Sequence, residues 1–140
     1  MDALDLHFSA MIGLERSDRP QLGSLCLDDV PDRRNHLGTI HASVQFALAE
    51  ACSGDFLQSR FSALTPMYAG VVRRAEVTYR SPARGRIYAK ASAEEPRLRE
   101  FEERLKSRGR AFISVGVVVS DAAGTVTLSG NIEWFAQKTP

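Results

Sequence analysis

The sequence predicts an α+β chain in which an antiparallel sheet wraps around one long central helix. Three observations lead there. Residues 41–58, HASVQFALAEACSGDFLQ, have high helix propensity, contain no proline, and are apolar or small on nearly every side, the pattern of a buried helix. Most of the chain from Arg74 onward alternates or runs apolar as strands do. Only residues 97–108 interrupt those strands with a helical stripe.

Taken in order, Leu4, Leu6, Phe8, Met11, Ile12 and Leu14 give a loose helical stripe over about 3–14. Leu22 to Val30 reads as a first strand, and Pro31 to Asn35 as a loop. The central helix is expected over about 41–57. Ala75, Val77 and Tyr79 then alternate with Arg74, Glu76, Thr78 and Arg80. Ser81-Pro82-Ala83-Arg84-Gly85 reads as a turn, and Ile87, Ala89 and Ala91 mark the next strand. After Pro96, Leu98, Phe101 and Leu105 form one stripe, and Arg99/Glu103, Glu100/Arg104 and Glu102/Lys106 are opposite charges four apart. That is a surface helix with a solvated face. Residues 110–120, RAFISVGVVVS, read as a central strand. Asp121 to Gly124 is a hairpin loop, and Val126, Leu128, Ile132 and Trp134 mark the last strand. The four strands after the central helix are expected to follow one another as a meander.

At 140 residues the chain has the length of a single domain, residues 1–140. Its 44% hydrophobic and 25% charged residues are ordinary for a globular protein. A net charge of +1 argues against nucleic-acid binding through phosphate contacts. No apolar run approaches the roughly 18 residues that span a bilayer, so no membrane segment is expected. Met1-Asp2-Ala3-Leu4-Asp5 lacks the basic start and apolar core of an export signal. Cys26 and Cys52 form no CxxC pair, and both are expected as buried thiols in a reducing cytoplasm.

The stretch that carries chemistry runs from Asn35 to Glu50. It places Gly38 three residues after Asn35, His41 six after it, then Ala42-Ser43, and Glu50 nine after His41. With Tyr79-Arg80-Ser81-Pro82-Ala83-Arg84-Gly85 downstream, this spacing resembles the hotdog-fold thioesterases, specifically the phenylacetate-degradation type of acyl-CoA thioesterase. The resemblance covers roughly residues 20–136. It implies hydrolysis of an acyl-CoA at a dimer-interface site, without a cofactor. Glu50 falls on the position of base or nucleophile, and Asn35, His41 and Ala42 on the carbonyl-polarising segment. Gly38 and Ser43 fall beside the substrate. Arg80, Arg84 and Arg86 surround a turn near the mouth of the acyl tunnel, where guanidinium groups would meet the phosphates of coenzyme A. Ala42-Ser43 stands where the family usually has Gly-Gly, which keeps a second reading open: a hotdog protein that binds acyl-CoA or a related ligand without hydrolysing it. A hydratase or dehydratase fits less well, because His41 stands nine residues from the acid.

Elementary chemistry supports the same assignment. The first amides of a helix lack internal acceptors, and the dipole there favours negative charge, so the Ala42 N–H is suited to polarise a carbonyl. Glu50 stands among apolar neighbours that raise its pKa toward that of a general base. Eight residues separate the two, about 12 Å along a helix. One helix cannot bring both to one carbonyl, so the site calls for two chains: a homodimer, or a homotetramer built from two such pairs. His41 also suits a capping role. His36 and His41 are five apart with no third ligand in view, so no metal site is expected. Ser43 lacks the GxSxG context of a nucleophile.

Overall fold

A computed structural model describes residues 2–140. The N-terminal stripe forms two pieces in place of one helix. A capping box between Asp2 and Asp5 closes a 3₁₀ turn over Ala3–Asp5, and Leu6 then turns extended. Helix α1 (His7–Ile12) follows, and Gly13, at φ +76°, ends it in the left-handed conformation that glycine adopts freely. Strand β1 is only Glu15–Arg16 and β2 only Leu25–Leu27. The expected strand from residue 22 is shorter because Leu22 and Gly23 spend their amides on the turn carbonyls of Arg19 and Pro20.

Helix α2 spans Ala42–Arg60, slightly longer than expected. Strand β3 (Tyr68–Tyr79), strand β4 (Ile87–Ser92), helix α3 (Glu95–Arg108), strand β5 (Arg110–Asp121) and strand β6 (Val126–Lys138) complete the order. The six strands form one antiparallel sheet ordered β1-β2-β4-β5-β6-β3. This corrects the meander at one point. Strands β4, β5 and β6 are successive neighbours, but β3 lies against β6 at the far edge and does not touch β4 in the sheet. The reason lies in residues 80–86. They are not a hairpin turn but a crossover beside the start of α2. The Arg80 amide and the Ser81 hydroxyl donate to Thr127 and Val126, and the Ile40 amide donates to the carbonyl of Ala83, which is fully buried.

The sheet and α2 enclose one core, with Leu48, Ala49 and Cys52 of the helix against Leu25, Ile87, Val117, Val119, Leu128 and Ile132. A second cluster joins the end of α2 to α3, through Phe61, Leu98, Phe101, Leu105, Ile113 and Val115. The stripe of α3 is therefore buried as its spacing requires. Glu100–Arg104 and Glu102–Lys106 pair on its outer face at 2.7 and 3.0 Å. Cys26 and Cys52 are free and buried, and burial pushes the Cys52 thiol up to about 11, far from a reactive thiolate. Neither α2 nor any other described helix is long and apolar enough to cross a membrane. The two sheet edges differ: β1 is two residues long, whereas β3 runs for twelve with not one buried residue.

Candidate functional site at the start and middle of the central helix

The segment before α2 is fixed by one side chain. Asn35 Oδ1 accepts the amides of Leu37 and Thr39 at 2.9 and 3.1 Å, and its Nδ2 donates to Thr39 Oγ1 at 2.8 Å. The Gly38 amide closes the turn on the Asn35 carbonyl, and Gly38 sits at φ +77° with open space where a Cβ would be. Glycine is required there by backbone conformation and not by lack of room.

This turn delivers the chain to His41, the N-cap of α2. His41 Nδ1 accepts the Ser43 amide at 3.0 Å, so the imidazole works as a cap in the place usually taken by Ser or Asp. With Ser43 N–H used and the amides of Val44 and Gln45 bonded to the His41 carbonyl, the exposed Ala42 N–H meets no acceptor among the described residues. Tyr79, at the end of β3, donates its hydroxyl to the Ala42 carbonyl at 3.0 Å. Sequence reasoning missed Tyr79 as a site neighbour, because only the crossover brings the end of β3 to the helix start.

Glu50 lies two turns further along α2, at 100° per residue on the side opposite Leu48 and Cys52. It is half-buried, its carboxylate has no hydrogen-bond or ion-pair partner among the described residues, and burial pushes its pKa above the ordinary glutamate value. Glu50, Gly54 and Leu57 share one helix face. Gly54 and Leu57 line an apolar cavity with Phe61, Phe101, Leu105 and Trp134.

One chain therefore assembles Asn35, Gly38, His41, Ala42 and Ser43 at the helix start and leaves Glu50 apart from them. The arginines also divide. Arg84 is exposed, beside the Ala83 carbonyl that receives the Ile40 amide. It forms no ion pair within 4 Å among the described residues, and Asp29 ties its loop to the one before α2 through Arg34 and the Gly85 amide. Arg80 is exposed and donates to Ser129 Oγ at 3.0 Å. Arg86 turns the other way. It reaches Asp28 at 2.8 Å, Glu15 at 3.0 Å and Asp18 at 3.5 Å, and donates to Cys26 Sγ at 3.0 Å. Three carboxylates already hold this guanidinium, so the structure gives it a fold-linking task away from the other two. Among the described residues no three metal-ligating side chains gather.

Residues 16–136 match the family model described as a domain of unknown function, DUF4442. The chain belongs to the DUF4442 family. No curated protein matches it. Among solved structures, the DUF4442 chain is similar to PA5026 of Pseudomonas aeruginosa, described as a protein of unknown function and probable thioesterase. That match has 23% identity and a TM-score of 0.81, over 99% of this chain and 93% of the other. A Chlorobaculum tepidum protein of unknown function aligns at 20% identity and a TM-score of 0.81, over 96% and 88% of the two chains. The BH2602 protein of Bacillus halodurans, solved with CoA, aligns at 17% identity and a TM-score of 0.70, over 94% and 76%. This DUF4442 member has the hotdog fold, as its sheet order and central helix require.

Proposed function

We propose that this protein hydrolyses acyl thioesters of coenzyme A at a site shared by two copies of the chain. The observation that carries the reading is Glu50: a half-buried carboxylate with no partner among the described residues, set in the apolar and small stretch from Phe46 to Gly54. Such a group costs stability and is retained where it does chemistry. A neighbour in fold is described as a probable thioesterase, and another was solved with CoA. Both support the choice of substrate class.

In this reading Glu50 takes a proton from water as the water oxygen attacks the thioester carbonyl carbon. The carbonyl oxygen gains negative charge and is held by the Ala42 N–H of the other copy, at the positive end of α2. Asn35 has a second amide N–H beyond the one spent on Thr39, which would serve as a further donor. Collapse breaks the C–S bond, and the departing thiolate takes the proton from Glu50. If Glu50 acts as nucleophile instead, its carboxylate oxygen attacks the carbonyl carbon, the C–S bond breaks to release the coenzyme A thiolate, and water cleaves the resulting mixed anhydride to the free acid and Glu50. His41 is a positioning residue: its bond to Ser43 N–H leaves Ala42 N–H as the free donor. Gly38 and Ser43 border the substrate, while Arg84, with Arg80, meets the phosphates of the coenzyme. Arg86 is left out of the proposal, since Asp28, Glu15 and Asp18 hold it.

The unpartnered edge supports the second copy. A twelve-residue edge strand with no buried residue, Val71 standing 59% exposed, leaves one side of its backbone open to pairing. Two β3 edges pairing across a twofold would join the sheets and bring the outward faces of two α2 helices together. The mass in solution should then be that of two chains, or of four if such pairs associate.

Thiol release from a panel of acyl-CoAs, measured beside Glu50→Gln, tests the reading. Release by the wild type and its loss in the variant is the expected result. Saturable acyl-CoA binding without release by the wild type would select the ligand-binding reading instead.

A further inference from the structure

The cavity beyond Glu50 bears on which acyl group is taken. It has a volume of about 130 Å³ and lies between the second half of α2, helix α3 and strands β3 and β6. An apolar cavity of about 150 Å³ holds a benzene ring, which sets the scale. Gly54 begins it one helical turn past Glu50, about 6 Å on. A Cβ at Gly54 would stand 3.0 Å from Trp134 Cζ2, so the absence of a side chain there is what lets the indole close against the helix.

The polar atoms of the wall are already committed. Trp134 Nε1 donates to Ser53 Oγ, the Tyr68 hydroxyl to the Leu105 carbonyl, and the Thr65 hydroxyl to the Phe61 carbonyl. Of the remaining lining, only Gln58 brings an amide, and it is half-buried. A guest that entered with a hydroxyl or a charge would lose its water and find little to replace it.

We infer that this cavity holds the far end of the acyl group, and that the substrates are thioesters of unfunctionalised apolar acids, a chain of about six carbons or a phenyl ring on a two-carbon spacer. The spacer follows from the single helical turn between Glu50 and the cavity. The inference rests on the thioesterase reading for its chemistry, but occupancy of the cavity can be read without turnover.

Trp134 is the sole tryptophan of the chain and lies in the wall, so its emission reports the guest directly. In Glu50→Gln, hexanoyl-CoA and 3-phenylpropanoyl-CoA should shift Trp134 emission saturably, whereas acetyl-CoA should not. In the wild type, kcat/KM should be at least about 10-fold higher for hexanoyl-CoA than for acetyl-CoA, the scale of discrimination that apolar pockets give. It should fall by about 10-fold or more for 6-hydroxyhexanoyl-CoA. A Cβ at Gly70 would rest 3.5 Å from Trp134 Cε3, in ordinary contact, so Gly70→Val adds bulk to the cavity from a strand position. Its hexanoyl-to-acetyl ratio should drop by about 10-fold. Equal emission responses to acetyl-CoA and hexanoyl-CoA would overturn the assignment, as would an unchanged ratio in Gly70→Val. A selective emission response without hydrolysis of any thioester would uphold the cavity as an acyl site while removing the thioesterase reading.

Discussion

Two carboxylates sit five residues apart on α2 and lead opposite lives. Asp55 is the more buried, its side chain 8% exposed, and it meets Arg16 Nη1 at 2.8 Å. The other arm of that guanidinium holds Asp2 at 2.7 Å, so one buried acid ties the N-terminal segment to the central helix. Glu50 is less buried, yet has no partner among the described residues, and burial alone pushes its pKa up. Depth therefore does not separate the structural acid from the one proposed to react. Partnership does: a satisfied carboxylate stabilises a fold, and an unsatisfied one stays available to a proton.

The sharpest break of this comparison removes either half of the proposed site. Glu50→Gln should lower kcat by at least roughly 10²-fold, while thermal unfolding shows an unchanged or slightly higher Tm. Ala42→Pro should cost a similar factor, because proline at the first helical position deletes the N–H without breaking the helix. His41 is already extended, at φ −60° and ψ 139°, as a residue before proline must be. Equal amounts of the two inactive variants, mixed and allowed to exchange subunits, should regain about a quarter of wild-type activity if each site draws on two chains. No recovery after exchange would show that Glu50 of one chain and Ala42 of the other do not form one site.

Asp55→Asn should show the reverse profile. Its expected cost is about 2 kcal/mol of folding stability in denaturant titration, less than for a fully buried pair because Arg16 is half exposed. The kcat of the folded variant should remain within a few-fold of wild type. A large kcat loss at unchanged stability would erase the distinction between the two acids.

The third effect is a matter of pH. Glu50 folds with a pKa above 4.5, so between that value and the raised one the native state holds more protons than the unfolded chain. Stability contributed by this group therefore falls as pH rises through that window and levels off above it. The stability advantage of Glu50→Gln should accordingly grow across the window and then stay constant. The acid limb of wild-type kcat/KM should be centred above the ordinary glutamate value, since the base works deprotonated.

The smallest effect concerns Arg84, which like Glu50 lacks an ion-pair partner among the described residues but stands in solvent. Arg84→Ala should raise KM for an acyl-CoA several-fold with kcat nearly unchanged, an exposed pair being worth under about 1 kcal/mol. The matching acyl-pantetheine, which lacks the phosphates, should show no change. Equal losses on both would mean that Arg84 supports its turn and not the ligand.

Much of this molecule was legible in its sequence because the signals are local. Uninterrupted propensity determined α2, a three-residue stripe with flanking charge pairs determined α3, and the glycine-bearing loop at 121–124 determined the β5–β6 hairpin. The spacing from Asn35 to Glu50 likewise marked the helix start and the acid, since a turn and a helix fix such offsets by themselves. What the tertiary structure alone decided is non-local. Strand β3 left the meander for the far edge because Ala83 and its neighbours pack as a crossover, and no pattern within residues 74–92 carries that information. Arg84 and Arg86, two residues apart, stand in solvent and in a nest of carboxylates respectively, because Glu15, Asp18 and Asp28 converge only after β1, β2 and β4 pair. Asp55 and Glu50 look alike along the chain. Only packing supplied Arg16 to one and left the other without a partner among the described residues.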